Sequence, residues 1–183
     1  FTCEHALSIS PRYIMTNNAT GSNNSAIYVP VGTTWATRAQ LRAHSFHKAN
    51  TAGIYGRGGR AVSIVASGGY PDEDHGDILI YTGTGGKENT RFGDGPQVED
   101  QKFSHPHNKW LRSAMYRQTP VHVIRGKNRN SLWAPEDGYC YDGKYLVTDA
   151  YMDKSPEDGQ FMLCKFRLER VPGQPQLTKN REM

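Results

Sequence analysis

Five runs rich in β-branched and aromatic residues set the frame for this chain: AVSIVAS (61–67), DILIYT (77–82), TPVHVIR (119–125), KYLVTDAY (144–151) and FMLCKFRLER (161–170). Each is bounded by Gly, Pro, Asp or Asn, the pattern of strands separated by turns. A sixth, TWATRAQLRA (34–43), fits the strand template less cleanly and is read the same way. Only NKWLRSAMYR (108–117) has helical spacing, with Trp110, Leu111, Ala114 and Met115 on one face and Asn108 as the expected cap. Many strands and one helix predict a mainly β (α+β) domain, and closure into a curved barrel is the expected answer to exposed strand edges.

The chain has 183 residues, enough for one domain with its own core, so a single domain over 1–183 is expected. Gly 19 and Pro 10 imply long loops, the longest from 83 to 107. Residues 1–30 read as an N-terminal extension and 171–183 as a tail around a motif-bearing part, 31–170. No apolar run approaches the roughly 18 residues of a membrane span, and FTCEHALSIS lacks the regions of a signal peptide, so no membrane partner is expected. Cys3, Cys140 and Cys164 show no metal-ligand spacing and read as reduced thiols.

A net charge of +4 understates the asymmetry: residues 5–71 hold six Lys or Arg and no acid, and residues 101–135 hold seven and no acid. Unopposed positive charge of this kind suits a polyanion such as nucleic acid. Against that background SGGYPDEDHGDILIYTGTGG (67–86) gathers Asp72, Glu73 and Asp74 between Tyr70 and Tyr81. Two phenol rings with a carboxylate between them make a receptor for a flat ring carrying an N–H donor, while a solvated acidic turn between core tyrosines is the plain alternative. Asp72 with Asp100 and Lys102 also has the loose form of a PD…(D/E)xK Mg²⁺ nuclease, although 100–102 lies in the least strand-like part of the chain. His105 and His107 lack a third ligand, so no metal and no cofactor are expected.

GIYGRGG (53–59), SGGYPDEDHGDILIYTGTGG (67–86), DQKF (100–103), YRQTPVHVIRG (116–126) and WAPEDGYCYDGKYLV (133–147) together resemble the SRA, or YDG, domain family, whose naming triplet is Tyr141-Asp142-Gly143 here. The resemblance implies a curved PUA-like β-barrel with long DNA-facing loops, a non-catalytic reader that flips 5-methylcytosine out of double-stranded DNA. It implies stacking walls at Tyr70 and Tyr81, a pocket lining of Ser67, Gly68, Gly69 and Thr82, and a base-reading carboxylate at Asp72 or Glu73. The acidic turn is one residue shorter than the family's usual pattern, which leaves that choice open. Asn50 and Thr51 fall on one duplex-inserting loop and Arg91 on the other. Lys48, Arg57, Arg125 and Lys127 are assigned from charge as phosphate contacts. A nuclear location, chromatin partners through flanking domains and no catalysis follow from the same likeness. The targeting module of a modification-dependent nuclease, and a histone-peptide module, stand as alternatives.

Overall fold

A computed structural model of the chain describes residues 28–88 and 95–180. The strands are β1 (Thr34–Trp35), β2 (Ile54–Arg57), β3 (Arg60–Ala66), β4 (Glu73–Asp74), β5 (Ile78–Thr82), β6 (Val121–Gly126), β7 (Tyr139–Lys154) and β8 (Met162–Arg170). Two helices accompany them, α1 (Arg38–His44) and α2 (Pro106–Tyr116). All eight strands form one mixed sheet in the order β2-β3-β6-β7-β8-β5-β4, with β1 added against β7. The β3–β6 pair is parallel and the other pairings are antiparallel.

The sheet is open, which corrects the expected curved barrel. Closure requires β2 to bond β4, but β2 pairs with β3 and β4 pairs with β5, and the order ends on each of them. Strand number and spacing do not encode whether the last edge meets the first. Here the outer edge is a strand of two residues, too short to template another pairing.

Apolar residues cover both faces, which explains runs that are continuous rather than alternating. One core holds Ile64, Val123, Tyr145, Val147, Phe166 and Leu168 with Leu111 and Ala114 of α2. The opposite face packs Val65, Ile124 and Tyr141 under Trp35 and under Leu41 of α1.

Two local expectations are corrected. Residues 34–43 divide into β1 and α1 because Thr37 takes an extended backbone and its hydroxyl accepts the Gln40 N–H at 3.2 Å, an N-cap that starts a helix. In α2 the cap is His105, since Pro106 occupies the first turn, where it has no N–H to lose. Asn108 lies buried in the helix, and its amide instead holds the loop after β5: Nδ2 donates to the Thr84 and Lys102 carbonyls, and Oδ1 accepts the Thr84 N–H at 2.9 Å. Cys140 and Cys164 are free thiols; Cys3 lies outside the described residues.

Candidate nucleic-acid interface

β3 runs out at Ala66 into a turn over 67–72, and β4 and β5 then return the chain. Gly68 makes the turn with φ of +75°, a conformation that costs glycine little, beside the Asn128 side chain. The return sets Tyr70, Asp72, Tyr81 and Thr82 around one cavity of about 180 Å³. Ser67 and Gly69 line it from the turn, Val65 from β3, Ile54 from β2, and Gly83 and Thr84 from the segment after β5. Thr51 and Arg38 complete the wall. Of the residues assigned to the pocket from sequence, Gly68 and Glu73 are not in its lining.

The two tyrosines are held differently. Tyr81 is 6% exposed and part of the main core, and Gly53 passes so close to its hydroxyl that a Cβ there would sit 2.6 Å away. Tyr70 is half-buried; its hydroxyl accepts the Gly85 N–H at 3.3 Å, and the Lys87 ammonium lies 4.3 Å from the ring centre while donating to the Gly69 carbonyl at 2.8 Å.

The acidic turn divides its work by alternation. Asp72 faces the cavity, Glu73 is exposed, and Asp74 points inward. Asp72 Oδ1 accepts the Thr82 N–H at 2.7 Å. Burial pushes the Asp72 carboxyl up to about 7, against the pull of the Thr82 N–H and the Lys165 charge. Asp74 receives both Nε and Nη2 of Arg125 at 2.7 Å, the Ser131 hydroxyl at 2.5 Å and the Gly76 N–H at 3.0 Å. Burial opposes its charge, but these bonds win and hold its carboxyl below the usual range.

Arg125 is therefore not a phosphate contact. Its side chain is 0% exposed, and besides Asp74 it donates to Asp142, to the Gly76 carbonyl at 2.8 Å and to the Tyr145 hydroxyl at 3.3 Å. The Asp of the Tyr141-Asp142-Gly143 triplet is thus an internal counter-ion, and Tyr141 bonds His122 Nδ1 through its hydroxyl at 2.7 Å. A run of unopposed cations in sequence hides a pairing whose acids lie 51 residues before and 17 after.

Lys48, Arg57 and Lys127 remain on the surface. The Lys48 ammonium donates to the Arg42 carbonyl at 2.9 Å at the end of α1, and Lys127 pairs with Asp137 at 2.6 Å. Asn50 and Thr51 are exposed on the loop before β2. Arg38 holds that loop from behind, donating to the Ala52 carbonyl at 2.5 Å and the Asn50 carbonyl at 3.3 Å. It also lies 2.9 Å from His47 Nε2, which is 3.1 Å from the Ala52 carbonyl, while His47 Nδ1 is 2.8 Å from the Ser63 hydroxyl. Burial and the Arg38 charge push the His47 ring down to about 3. Arg91 lies outside the described residues.

The nuclease constellation is not assembled. Asp72 belongs to the tyrosine cavity, whereas Asp100 and Lys102 line a separate surface depression beside His105. Asp100 accepts the Met162 N–H at 2.8 Å, and Lys102 lies 3.8 Å from Glu99. Among the described residues no group of three or more His, Cys, Asp or Glu is placed to hold a metal ion, and no helix is long and apolar enough to cross a membrane.

Sequence reasoning missed Arg38 and Lys165. Lys165 interrupts the apolar run of β8, yet it is 2% exposed and lies opposite Thr82 in the β5–β8 register. A lone cation at an inward position of a strand was the available signal.

The open sheet and its cavity define a small α+β domain with one cavity walled by two tyrosines and a carboxylate. The chain belongs to the SAD/SRA domain family, whose model matches residues 25–174. It is 39% identical over 155 residues to a UHRF1-like protein of Cryptococcus neoformans, covering 80% of this chain and 45% of that protein. It is 41% identical over 159 residues to the histone-lysine N-methyltransferase SUVH6 of Arabidopsis thaliana, covering 82% and 20%. The chain thus spans less than half the length of these curated relatives. Among solved structures it is similar to the SUVH5 SRA complex with hemimethylated CG DNA, at 34% identity and a TM-score of 0.67, covering 82% of this chain and 94% of that one. It is also similar to the modification-dependent TagI restriction endonuclease, at 36% identity and a TM-score of 0.72, covering 78% and 50%.

Proposed function

We propose that this domain binds double-stranded DNA carrying 5-methylcytosine and takes the modified base, turned out of the helix, into the Tyr70–Tyr81 cavity. The single observation that carries the reading is the placement of Asp72, with two tyrosines, in one small cavity. Similar SRA domains solved with methylated CG, methylated CHH and hydroxymethylated CG DNA support it. Tyr70 and Tyr81 are the stacking walls, Ser67, Gly69 and Thr82 line the edge, and Asp72 rather than exposed Glu73 accepts from the cytosine amino group. Thr51 at the cavity rim, with Asn50, enters the space the base leaves, Arg91 reads from the other loop, and Lys48, Arg57 and Lys127 meet phosphates. Residues 1–183 act as one reader domain without catalysis. Histone-modifying relatives support a place on chromatin in the nucleus, through flanking domains.

The energies are compatible. Extruding a base costs a few kcal/mol, and two aromatic contacts at roughly 1–3 kcal/mol each return a comparable amount. The methyl group adds on the order of 0.8 kcal/mol, about a fourfold preference, so stronger selectivity requires close fit. Thymine in place of cytosine sets its O4 against the carboxylate and leaves that acceptor unpaired, at about 1–3 kcal/mol.

Fluorescence polarisation at fixed salt tests the reading. Tyr70→Ala weakens binding to methylated duplex at least tenfold more than to unmethylated duplex; equal losses refute the cavity. Lys127→Ala weakens both alike and lowers the salt slope by about one. The TagI likeness favours a second reading, the targeting part of a longer nuclease, in which a full-length protein cuts modified DNA with Mg²⁺ while this domain alone leaves it intact.

A further inference from the structure

Behind the cavity wall lies a charge that the reading above does not use. Lys165 enters from β8, and its ammonium donates to the Pro71 carbonyl at 2.6 Å and to the Thr82 hydroxyl at 2.9 Å. Those two acceptors flank Asp72 on both sides: Pro71 precedes it in the chain, and Thr82 supplies the N–H to its Oδ1. The Thr82 hydroxyl in turn donates to the Pro71 carbonyl at 2.9 Å, which closes a small polar knot beneath the carboxylate. Asp72 is thus tied at Oδ1 to the Thr82 N–H while its carboxylate lines the cavity.

A carboxylate at the floor of a small cavity has two forms with opposite reading. Ionised, it only accepts, and it suits an amino edge. Protonated, it also donates, and it tolerates a carbonyl edge. Burial favours the neutral form, so something nearby must oppose it. The groups that face Asp72 are few. Asp74 from the same turn carries like charge and disfavours ionisation. Tyr81 and Thr82 face it from β5, Tyr70 from the turn, Arg38 across the cavity and Lys165 from β8. Arg38 is spent on the loop carbonyls at Asn50 and Ala52, and Asp74 is spent on Arg125. Burial pulls the Lys165 ammonium below the usual lysine range, and the neighbouring charges of Asp72, Glu73 and Asp153 offset part of that pull.

We propose that Lys165 is a positioning residue that favours the ionised form of Asp72 and aims it, and so makes the cavity select an amino-edged over a carbonyl-edged pyrimidine. Lys165 touches no base. It acts through Asp72 and through the Pro71–Thr82 frame. The inference rests on the base-cavity reading and adds to it a pH-dependent discrimination set from behind the wall.

The test compares two duplexes that carry the same methyl group at one position, 5-methylcytosine paired with guanine and thymine opposed to guanine. The ratio of their dissociation constants is followed from pH 5.5 to 8.5, which cancels the general effect of pH on DNA affinity. In the wild-type protein the preference for 5-methylcytosine rises with pH and levels off once Asp72 is ionised. Lys165→Gln shifts the midpoint upward by at least one pH unit and lowers the preference at pH 7 at least fivefold, while Lys165→Arg restores the wild-type midpoint. A preference that falls with pH, or a wild-type midpoint in Lys165→Gln, overturns the proposal. Asp72→Asn separates the two ideas: it flattens the pH profile if the cavity reads the base, and an unchanged profile sinks the cavity reading itself. If Lys165→Gln fails to fold, carbon-detected NMR of the wild-type protein decides, with the Lys165 Cε signal expected to report the Asp72 midpoint and a silent Lys165 refuting the coupling.

Discussion

Asp142→Asn removes the second counter-ion of Arg125 and tests whether the family's naming triplet serves the core or the DNA. Arg125 is 0% exposed and Asp142 is nearly buried, so the amide leaves a guanidinium with one charged partner in a dry site. Breaking a buried pair by removing one member costs about 3–5 kcal/mol. The two bonds from Arg125 to Asp74 survive, which places the loss near the lower end, about 3 kcal/mol. For a domain of this size each kcal/mol moves the melting temperature by about 2–4 °C, so a fall of roughly 10 °C is expected. The assay pairs thermal melting with the salt dependence of DNA binding. Melting falls while the slope of log affinity against log salt stays at its wild-type value, because no phosphate contact is lost. Arg125→Met in the Asp142→Asn background deepens the loss, since it leaves the nearly buried Asp74 carboxylate without its cation. The reasoning fails if Asp142→Asn melts within about 2 °C of wild type, or if the salt slope drops by about one.

Two further outcomes follow from the same geometry. Gly76→Ala places a methyl group 2.7 Å from the Trp133 ring on a backbone with φ of +79°, and urea unfolding should show a loss of about 1–3 kcal/mol; an unchanged midpoint refutes the crowding. Acidification should destabilise the fold. Burial holds the His47 ring near 3 and the His122 ring near 4, so the unfolded chain binds these protons first, near pH 6.5, and their stabilisation is lost as pH falls from there toward the folded values. Asp72, pushed up to about 7, works the other way, as does Asp142, whose carboxyl burial also raises, while His105 and His107, lowered by burial, add to the loss, and stability should fall between about pH 6 and 4.5. A urea midpoint that stays flat over that interval contradicts it.

Much of the strand set is legible because β-branched runs bounded by Gly, Pro and Asp report strands directly. AVSIVAS, DILIYT and TPVHVIR sit within a residue or two of β3, β5 and β6. IYGR went unread as β2 because two of its four positions are Gly and Arg, which carry no strand signal. α1 was hidden because its only buried residue is Leu41, too little for a helical stripe to show. In the site, the Gly-Gly-Tyr turn and the second tyrosine show in local sequence, which by itself fits a plain acidic turn between core tyrosines as well. The division of labour among Asp72, Glu73 and Asp74 does not show there, since it depends on Arg125, Lys165 and Thr82 arriving from other strands. The assignment of Arg125 to phosphate failed for the same reason: exposure is a property of the folded sheet, not of a charge count.

The Arg125 hub also limits how this domain is taken apart. One guanidinium ties the Asp74 turn to Asp142 near the start of β7. Transplanting the 67–86 hairpin into another scaffold would carry both tyrosines but lose the anchor that aims the turn. A grafted reader would need a stand-in for that distant arginine before its carboxylate faced the right way.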